Sequence, residues 1–271
     1  MVTGLVLLLA LVALWALSWR PRALPGVASK PTLLLGHRGV RGSLPENTLS
    51  AFRAALDAGL DGLETDLQRS ADGEIVLYHD FVLPDGRPLR NLTLSQLREA
   101  KENIPTLEEL FALAQDYPQT LLNLELKTAS WQTDGLERAA VVAIRHSGLS
   151  GRVLVSSFNP LSLVRVRLYA PELRTALLYS SEGPTWLRTT RSARTFARLL
   201  HTDALHPHFS LVDEELAHWT QKNGLILNVW TVNEAAEVKR LTRLNVNGLM
   251  ADDPKALKDT FKEATWSPTQ H

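Results

Sequence analysis

The sequence predicts an α/β fold of the (β/α)8-barrel class, on three observations. From residue 32 onward, short β-rich runs alternate with helical ones through about eight units with short connections, as parallel strands with crossover helices require. Most of the β-rich runs are continuously apolar, the pattern of strands covered on both faces. The chain has 271 residues, and the roughly 250 that follow its apolar start suit one barrel better than an open doubly wound sheet.

The elements follow in order. Residues 32–36 (TLLLG) read as a strand, and 46–58 as a helix carried by Leu49, Phe52, Ala55 and Leu56. Strand 62–68 comes next, with 75–79 (IVLYH) as its continuation or neighbour. Residues 81–104 break the rhythm and read as a small insertion between the second and third units. Helix 106–115 opens on Thr106 with Glu109 three residues on, a capping box. Strands 121–127, 153–158, 175–179, 204–206, 225–232 and 248–251 then alternate with helices 136–146, 160–168, 185–200, 213–222 and 235–244. The barrel domain is expected over 31–262, with 81–104 inserted in it.

Residues 1–22 stand apart. The first 19 carry none of the chain's 58 charged side chains, and 16 of them are apolar. At ~1.5 Å per residue, 2–19 would form a helix of roughly 27 Å, long enough for a thin bilayer core. Arg20 and Arg22 follow directly. The segment reads as an uncleaved membrane anchor with the body on the cytoplasmic side. The alternative is a secretory signal cleaved in the small-residue context around Ala28, leaving the body secreted or periplasmic.

Composition excludes several functions. Lys plus Arg and Asp plus Glu both number 29, so there is no electrostatic footprint for nucleic acid. The absence of cysteine excludes disulfide scaffolds, thiolate metal sites and cysteine nucleophiles.

A barrel of this class carries its site at the C-terminal ends of its strands. The polar residues expected there are His37 and Arg38, Glu64 and Asp66, His79 and Asp80, Glu125 and Lys127, Ser156 and Ser157, Trp230 and Asn233, and Asp252 with Asp253. Glu64 and Asp66 are two apart on a strand and share a face, as do Glu125 and Lys127. One such pair alone is an ordinary salt-bridged strand end; two pairs beside two histidines point to a site. Charges facing a barrel interior are costly unless paired or metal-bound. Glu64, Asp66 and Glu125 would repel one another unless a divalent cation joined them, and all-oxygen donors select Mg2+, Ca2+ or Mn2+ over zinc. His37 and His79 form a candidate proton-transfer pair. Arg38 and Lys127 suit a phosphate oxygen. With a divalent ion bound, these groups leave one net positive charge, matching the single negative charge of a phosphodiester. Gly36, Gly39 and Gly42 follow a strand, but their spacing is not that of a dinucleotide loop.

These residues stand in recognisable text: Gly36-His37-Arg38-Gly39, Leu44-Pro45-Glu46-Asn47-Thr48, Glu64-Thr65-Asp66, His79-Asp80, Asn123-Leu124-Glu125-Leu126-Lys127 and Asn228-Val229-Trp230-Thr231-Val232-Asn233. In this order, over roughly 33–257, the chain resembles the glycerophosphodiester phosphodiesterases of the phospholipase C-like superfamily. The resemblance implies a TIM barrel that hydrolyses glycerophosphodiesters to sn-glycerol 3-phosphate and an alcohol. It implies Glu64, Asp66 and Glu125 as ligands of one divalent cation, His37 and His79 as general acid and base in an unassigned order, and Arg38 and Lys127 on the phosphate. The nucleophile is water or a neighbouring substrate hydroxyl. The short insertion lacks the family's Thr-rich turn after His79-Asp80, which leaves the headgroup open.

The expected partner is a small-molecule or lipid-derived phosphodiester, with no nucleic acid and with a membrane met through the N-terminal helix. That helix motivates an alternative, a lysophospholipase D with its mouth near lipid. Trp230 stacks on substrate or packs the barrel. Glu46 contacts metal or substrate, or is a first-turn acid stabilised by the helix dipole. Asp80 is a candidate to orient His79, and His206 and His208 read as loop residues.

Overall fold

The computed structural model describes residues 2–23 and 32–265. After an N-terminal helix α1 (Val2–Leu17), the chain runs β1 (Leu33–His37), α2 (Leu49–Asp57), β2 (Gly62–Arg69), β3 (Ile75–Leu77), α3 (Leu94–Ala100) and α4 (Leu107–Gln115). It continues through β4 (Leu121–Leu126), α5 (Leu136–Ser147), β5 (Val153–Ser157), α6 (Pro160–Tyr169), β6 (Arg174–Tyr179) and α7 (Thr190–Leu200). The last units are β7 (Ala204–Pro207), α8 (Glu214–Asn223), β8 (Ile226–Val229), α9 (Ala235–Arg243), β9 (Gly248–Ala251) and α10 (Pro254–Thr265). Eight strands pair in parallel in the order β1-β9-β8-β7-β6-β5-β4-β2, and β1 pairs back onto β2, closing the (β/α)8 barrel.

The alternation of strand side chains creates two cores. Leu33, Leu35, Leu121, Leu154, Ala176 and Met250 fill the barrel interior. Outward residues such as Leu63, Leu122, Val155 and Leu227 meet the helices in a larger shell. The segment 75–79 is a neighbour of β2 rather than its continuation, because β3 pairs with it antiparallel. The inserted stretch holds a third small core, in which Leu83, Leu89, Leu92, Leu97 and Ile104 pack against Val76 and Tyr78. It also contains α3, which the sequence reading did not assign.

Helix starts are set by caps. Thr106 and Glu109 form the expected capping box. The helix anticipated from residue 46 starts at Leu49, where Thr48 accepts a hydrogen bond from the Ala51 amide. Asn47 takes a left-handed φ of 54° just before it. In place of one helix over 185–200 there is a 3-10 turn at Thr185–Leu187 and then α7, capped by Thr189.

The expectation of a membrane span is corrected. No helix among the described residues is long and apolar enough to cross a membrane. The reason is tertiary: the chain leaves α1 at Leu17 to seat on the barrel. Trp15 Nε1 donates to Leu199 O at 2.8 Å and its ring stacks on His201 with centroids 3.9 Å apart. Trp19 is buried, donates to Thr202 O at 2.8 Å and stacks on Trp219. Arg22 clasps the buried Asp203 carboxylate through Nε and Nη2, at 2.9 and 2.7 Å. Leu199 lies in the last turn of α7, and His201, Thr202 and Asp203 connect it to β7, so this strap sits where strands begin, opposite the strand ends that carry the candidate site. The leucines of α1 that precede the strap are exposed. The cleavage context at Ala28 lies outside the described residues.

His206 is corrected too. It is fully buried in β7 and, like Ala204, points into the barrel, where Asn228 Nδ2 donates to its Nε2 at 3.1 Å. Burial pushes its pKa down to about 3. Between that value and the ordinary 6.5, the unfolded chain binds a proton that the folded chain refuses, so stability falls as pH falls through this window. Denaturant titrations at pH 7 and pH 5 should show the His206→Gln variant sparing about 2 kcal/mol of the wild-type loss. An identical loss in both proteins would contradict this account.

Candidate active site

The site is assembled at the C-terminal ends of β1, β2 and β4 and in the turns after them. Register does the first part: Glu64 pairs with Asn123 and Asp66 with Glu125 across β2 and β4, while His37 pairs with Glu64 across β1 and β2. Carboxylate oxygens of Glu64, Asp66 and Glu125 therefore all lie within 4.8 Å of one another, on buried residues. Arg38 follows β1 in a left-handed conformation, φ 55°. Gly39 is required beside it, because a Cβ there would stand 2.7 Å from the Ala51 backbone.

Two cations answer three carboxylates. Arg38 Nε lies 3.3 Å from Asp66 Oδ2, and Lys127 Nζ lies 3.2 Å from Glu125 and 3.6 Å from Asp66. Asn47 Nδ2 also donates to Asp66 at 2.9 Å. Burial alone would raise the Asp66 carboxyl, but Lys127 and Arg38 bring it below its usual range. Glu64 differs: among the described residues no Lys or Arg side chain forms an ion pair with it, its Oε2 accepts from the Arg38 backbone amide at 3.2 Å, and His37 Nε2 lies 3.8 Å away. Burial, and then Asp66 and Glu125, push its pKa well above the usual value. Burial likewise raises Glu125, held to about 7 by Lys127. A desolvated cluster of hard oxygens short of positive charge fits a divalent cation of the Mg2+, Ca2+ or Mn2+ kind.

Both histidines are backed by an aspartate. His37 Nδ1 lies 2.7 Å from Asp252 Oδ1, and His79 Nδ1 lies 2.7 Å from Asp80 Oδ1. Each pairing fixes the ring and leaves Nε2 for other work. Asp252 is itself held by Asn233 Nδ2 at 2.8 Å. The turn carrying His79 is held by Gln68 Nε2, which donates to Tyr78 O and Asp80 O at 2.8 Å. Burial lowers the His79 pKa; Asp66 opposes this, and Lys127 and Arg38 add to it. A cavity of about 140 Å3 is lined by His37, Arg38, His79, Asn123, Lys127 and Trp230 together with Glu64 and Glu125. His37, Arg38, Glu64, His79, Glu125, Lys127 and Trp230 thus share one cavity, with Asp66 in the carboxylate cluster beside it, whereas Ser157 lines a neighbouring groove and Asp253 a separate pocket.

A profile of the glycerophosphoryl diester phosphodiesterase family matches residues 37–256. The chain belongs to this family. It is 33% identical over 242 residues to the glycerophosphodiester phosphodiesterase of Caldanaerobacter subterraneus subsp. tengcongensis, covering 83% of this chain and 96% of that one. A Silicibacter pomeroyi glycerophosphoryl diester phosphodiesterase homologue superposes with a TM-score of 0.81 at 27% identity, covering 90% of this chain and 98% of the other. An Oleispira antarctica phosphodiesterase in complex with the product sn-glycerol-3-phosphate superposes with a TM-score of 0.71 at 26% identity, covering 85% and 96%.

Within this glycerophosphoryl diester phosphodiesterase frame, four residues received no individual role from the sequence, although Asn233 and Asp252 were expected at the strand ends. Asp252, Asn233 and Asn47 hold His37, Asp252 and Asp66 respectively. Asn123 is fully buried, and neither atom of its carboxamide finds a partner among the described residues. Its signal was present, two residues before Glu125 on the same strand face. Glu46 is not a first-turn acid: it precedes α2 and braces Arg38 Nη1 at 2.9 Å and Arg41 Nε at 2.5 Å. Trp230 lines the cavity and donates from Nε1 to His206 O at 2.8 Å, so it packs the barrel and faces the site at once. His208 caps the 3-10 turn Phe209–Leu211.

Proposed function

We propose that the chain hydrolyses glycerophosphodiesters to sn-glycerol 3-phosphate and an alcohol, with His37 and His79 as its acid and base. The observation that carries this reading is the pair of aspartate-backed histidines on one small cavity with three clustered carboxylates and two cations. Glu64, Asp66 and Glu125 would hold a divalent cation. When bound, it supplies positive charge to the phosphoryl oxygens and acidifies a coordinated hydroxyl. Arg38 and Lys127 neutralise the phosphodiester and orient it. One histidine accepts the proton of the attacking water or substrate hydroxyl as the new P–O bond forms. The other donates a proton to the leaving alkoxide as the old P–O bond breaks.

The reading as a lysophospholipase D rested on a leader that brings the mouth to lipid. The strap instead holds the leader at the opposite end of the barrel, so that motive falls away. The test is incubation of the purified chain with glycerophosphocholine and a divalent cation, followed by product analysis. Release of sn-glycerol 3-phosphate and choline is expected; phosphocholine and glycerol, or no turnover with any of Mg2+, Ca2+ and Mn2+, would overturn the assignment.

A further inference from the structure

Beside the catalytic cavity lies a larger groove of about 480 Å3 that meets it at Glu125, Lys127 and Phe158. Its outer walls are aromatic: Phe81, Trp131 and Trp186. Trp131 packs on Trp186 with ring centroids 5.5 Å apart, and Trp186 rests on Phe196 at 5.1 Å. Trp131 is nonetheless 52% exposed and Phe81 41%, an unusual outlay of ring surface for a soluble loop. The loop carrying Trp131 is held in place, since Arg165 Nη2 donates to Trp131 O at 2.7 Å.

The polar groups of the groove are already engaged with one another. Asn159 Nδ2 donates to Thr128 Oγ1 and Ser130 O, both at 3.1 Å, and Ser130 Oγ donates to Gln132 O at 3.3 Å. Its two charged residues, Glu125 and Lys127, face each other at 3.2 Å at the inner end. A polyol would find few free partners here. A quaternary ammonium would meet the aromatic faces, but with the Lys127 cation nearby and with Glu125, the groove's carboxylate, already paired to it. The groove therefore offers ring faces and little else, which suits an apolar group.

Resting on the phosphodiesterase reading above, we propose that this groove is the leaving-group subsite and that it selects alcohols with an apolar body. The enclosed inner cavity suits the compact glycerol phosphate half, and the alcohol leaves along Phe158 towards Trp131. The preference acts on kcat/KM, because the alcohol remains in the groove while its P–O bond breaks.

The experiment compares the glycerophosphate esters of choline, glycerol and 1-hexanol by sn-glycerol 3-phosphate released, with one divalent cation throughout. The wild type should favour the hexyl ester over the other two by about 10-fold or more in kcat/KM. Trp131→Ala and Trp186→Ala should bring the three esters to within about 2-fold of one another, and Trp131→Phe should restore the order. Taking the ratio within each protein preparation removes any general loss of activity. A wild type that prefers choline or glycerol, or a Trp131→Ala variant with the preference intact, overturns the subsite while leaving the phosphodiesterase reading in place. Failure of all three esters to release sn-glycerol 3-phosphate overturns both.

Discussion

Replacing His37 or His79 by Ala is expected to lower kcat by about 10²- to 10⁴-fold, with the thermal melt little changed. The magnitude follows from the geometry. Each ring is presented by an aspartate at 2.7 Å on Nδ1, so each loses a fixed proton carrier rather than a mobile side chain. Both side chains face the cavity rather than the helix-packed shell, so removing either ring leaves the apolar packing in place. The two variants should differ in pH profile. Losing the base removes the acidic limb of kcat against pH, and losing the acid removes the alkaline limb. This assigns the roles directly. Unchanged rates in both variants would remove the histidines from the mechanism.

Chelation is the second large effect. Dialysis against EDTA should reduce activity by about 10³-fold, the several kcal/mol of charge stabilisation a metal supplies. Mg2+, Ca2+ and Mn2+, added back singly, identify the preferred ion. A readout independent of turnover follows from mass action: an ion at 100 times its Kd stabilises the folded chain by about 2.7 kcal/mol. That rise in melting temperature should vanish in Glu125→Gln, because Glu125 sits in the carboxylate cluster and its charge is what the ion balances. A stripped protein with full activity and no thermal response would show that Arg38 and Lys127 suffice to manage the buried carboxylates.

Much of the site was legible because a barrel converts sequence spacing into place. Glu64 with Asp66, and Glu125 with Lys127, sit two apart at strand ends, and parallel register then brings the carboxylates together. What escaped depends on partners remote in sequence. Asp252 reaches His37 across 215 positions, a contact created only when β9 pairs with β1 to close the barrel. His206 read as a loop residue because Pro207 and His208 follow it; only the inward alternation with Ala204 reveals a core histidine. The N-terminal segment misled for a related reason. Its composition describes what it could dissolve in, whereas its structure is decided by Leu199, Thr202 and Asp203, which hydropathy does not see.

That strap also bears on the order in which the chain folds. Trp15 finds Leu199 across 184 positions, and Arg22 finds Asp203 across 181. The strap is synthesised before the residues that seat it, and closing so long a loop carries an entropy cost before any contact repays it. Docking of the strap is therefore a late event. Throughout translation of β1 to β6, Trp15 and Trp19 have no seat to occupy, so these two rings stay open to other contacts until the residues before β7 emerge.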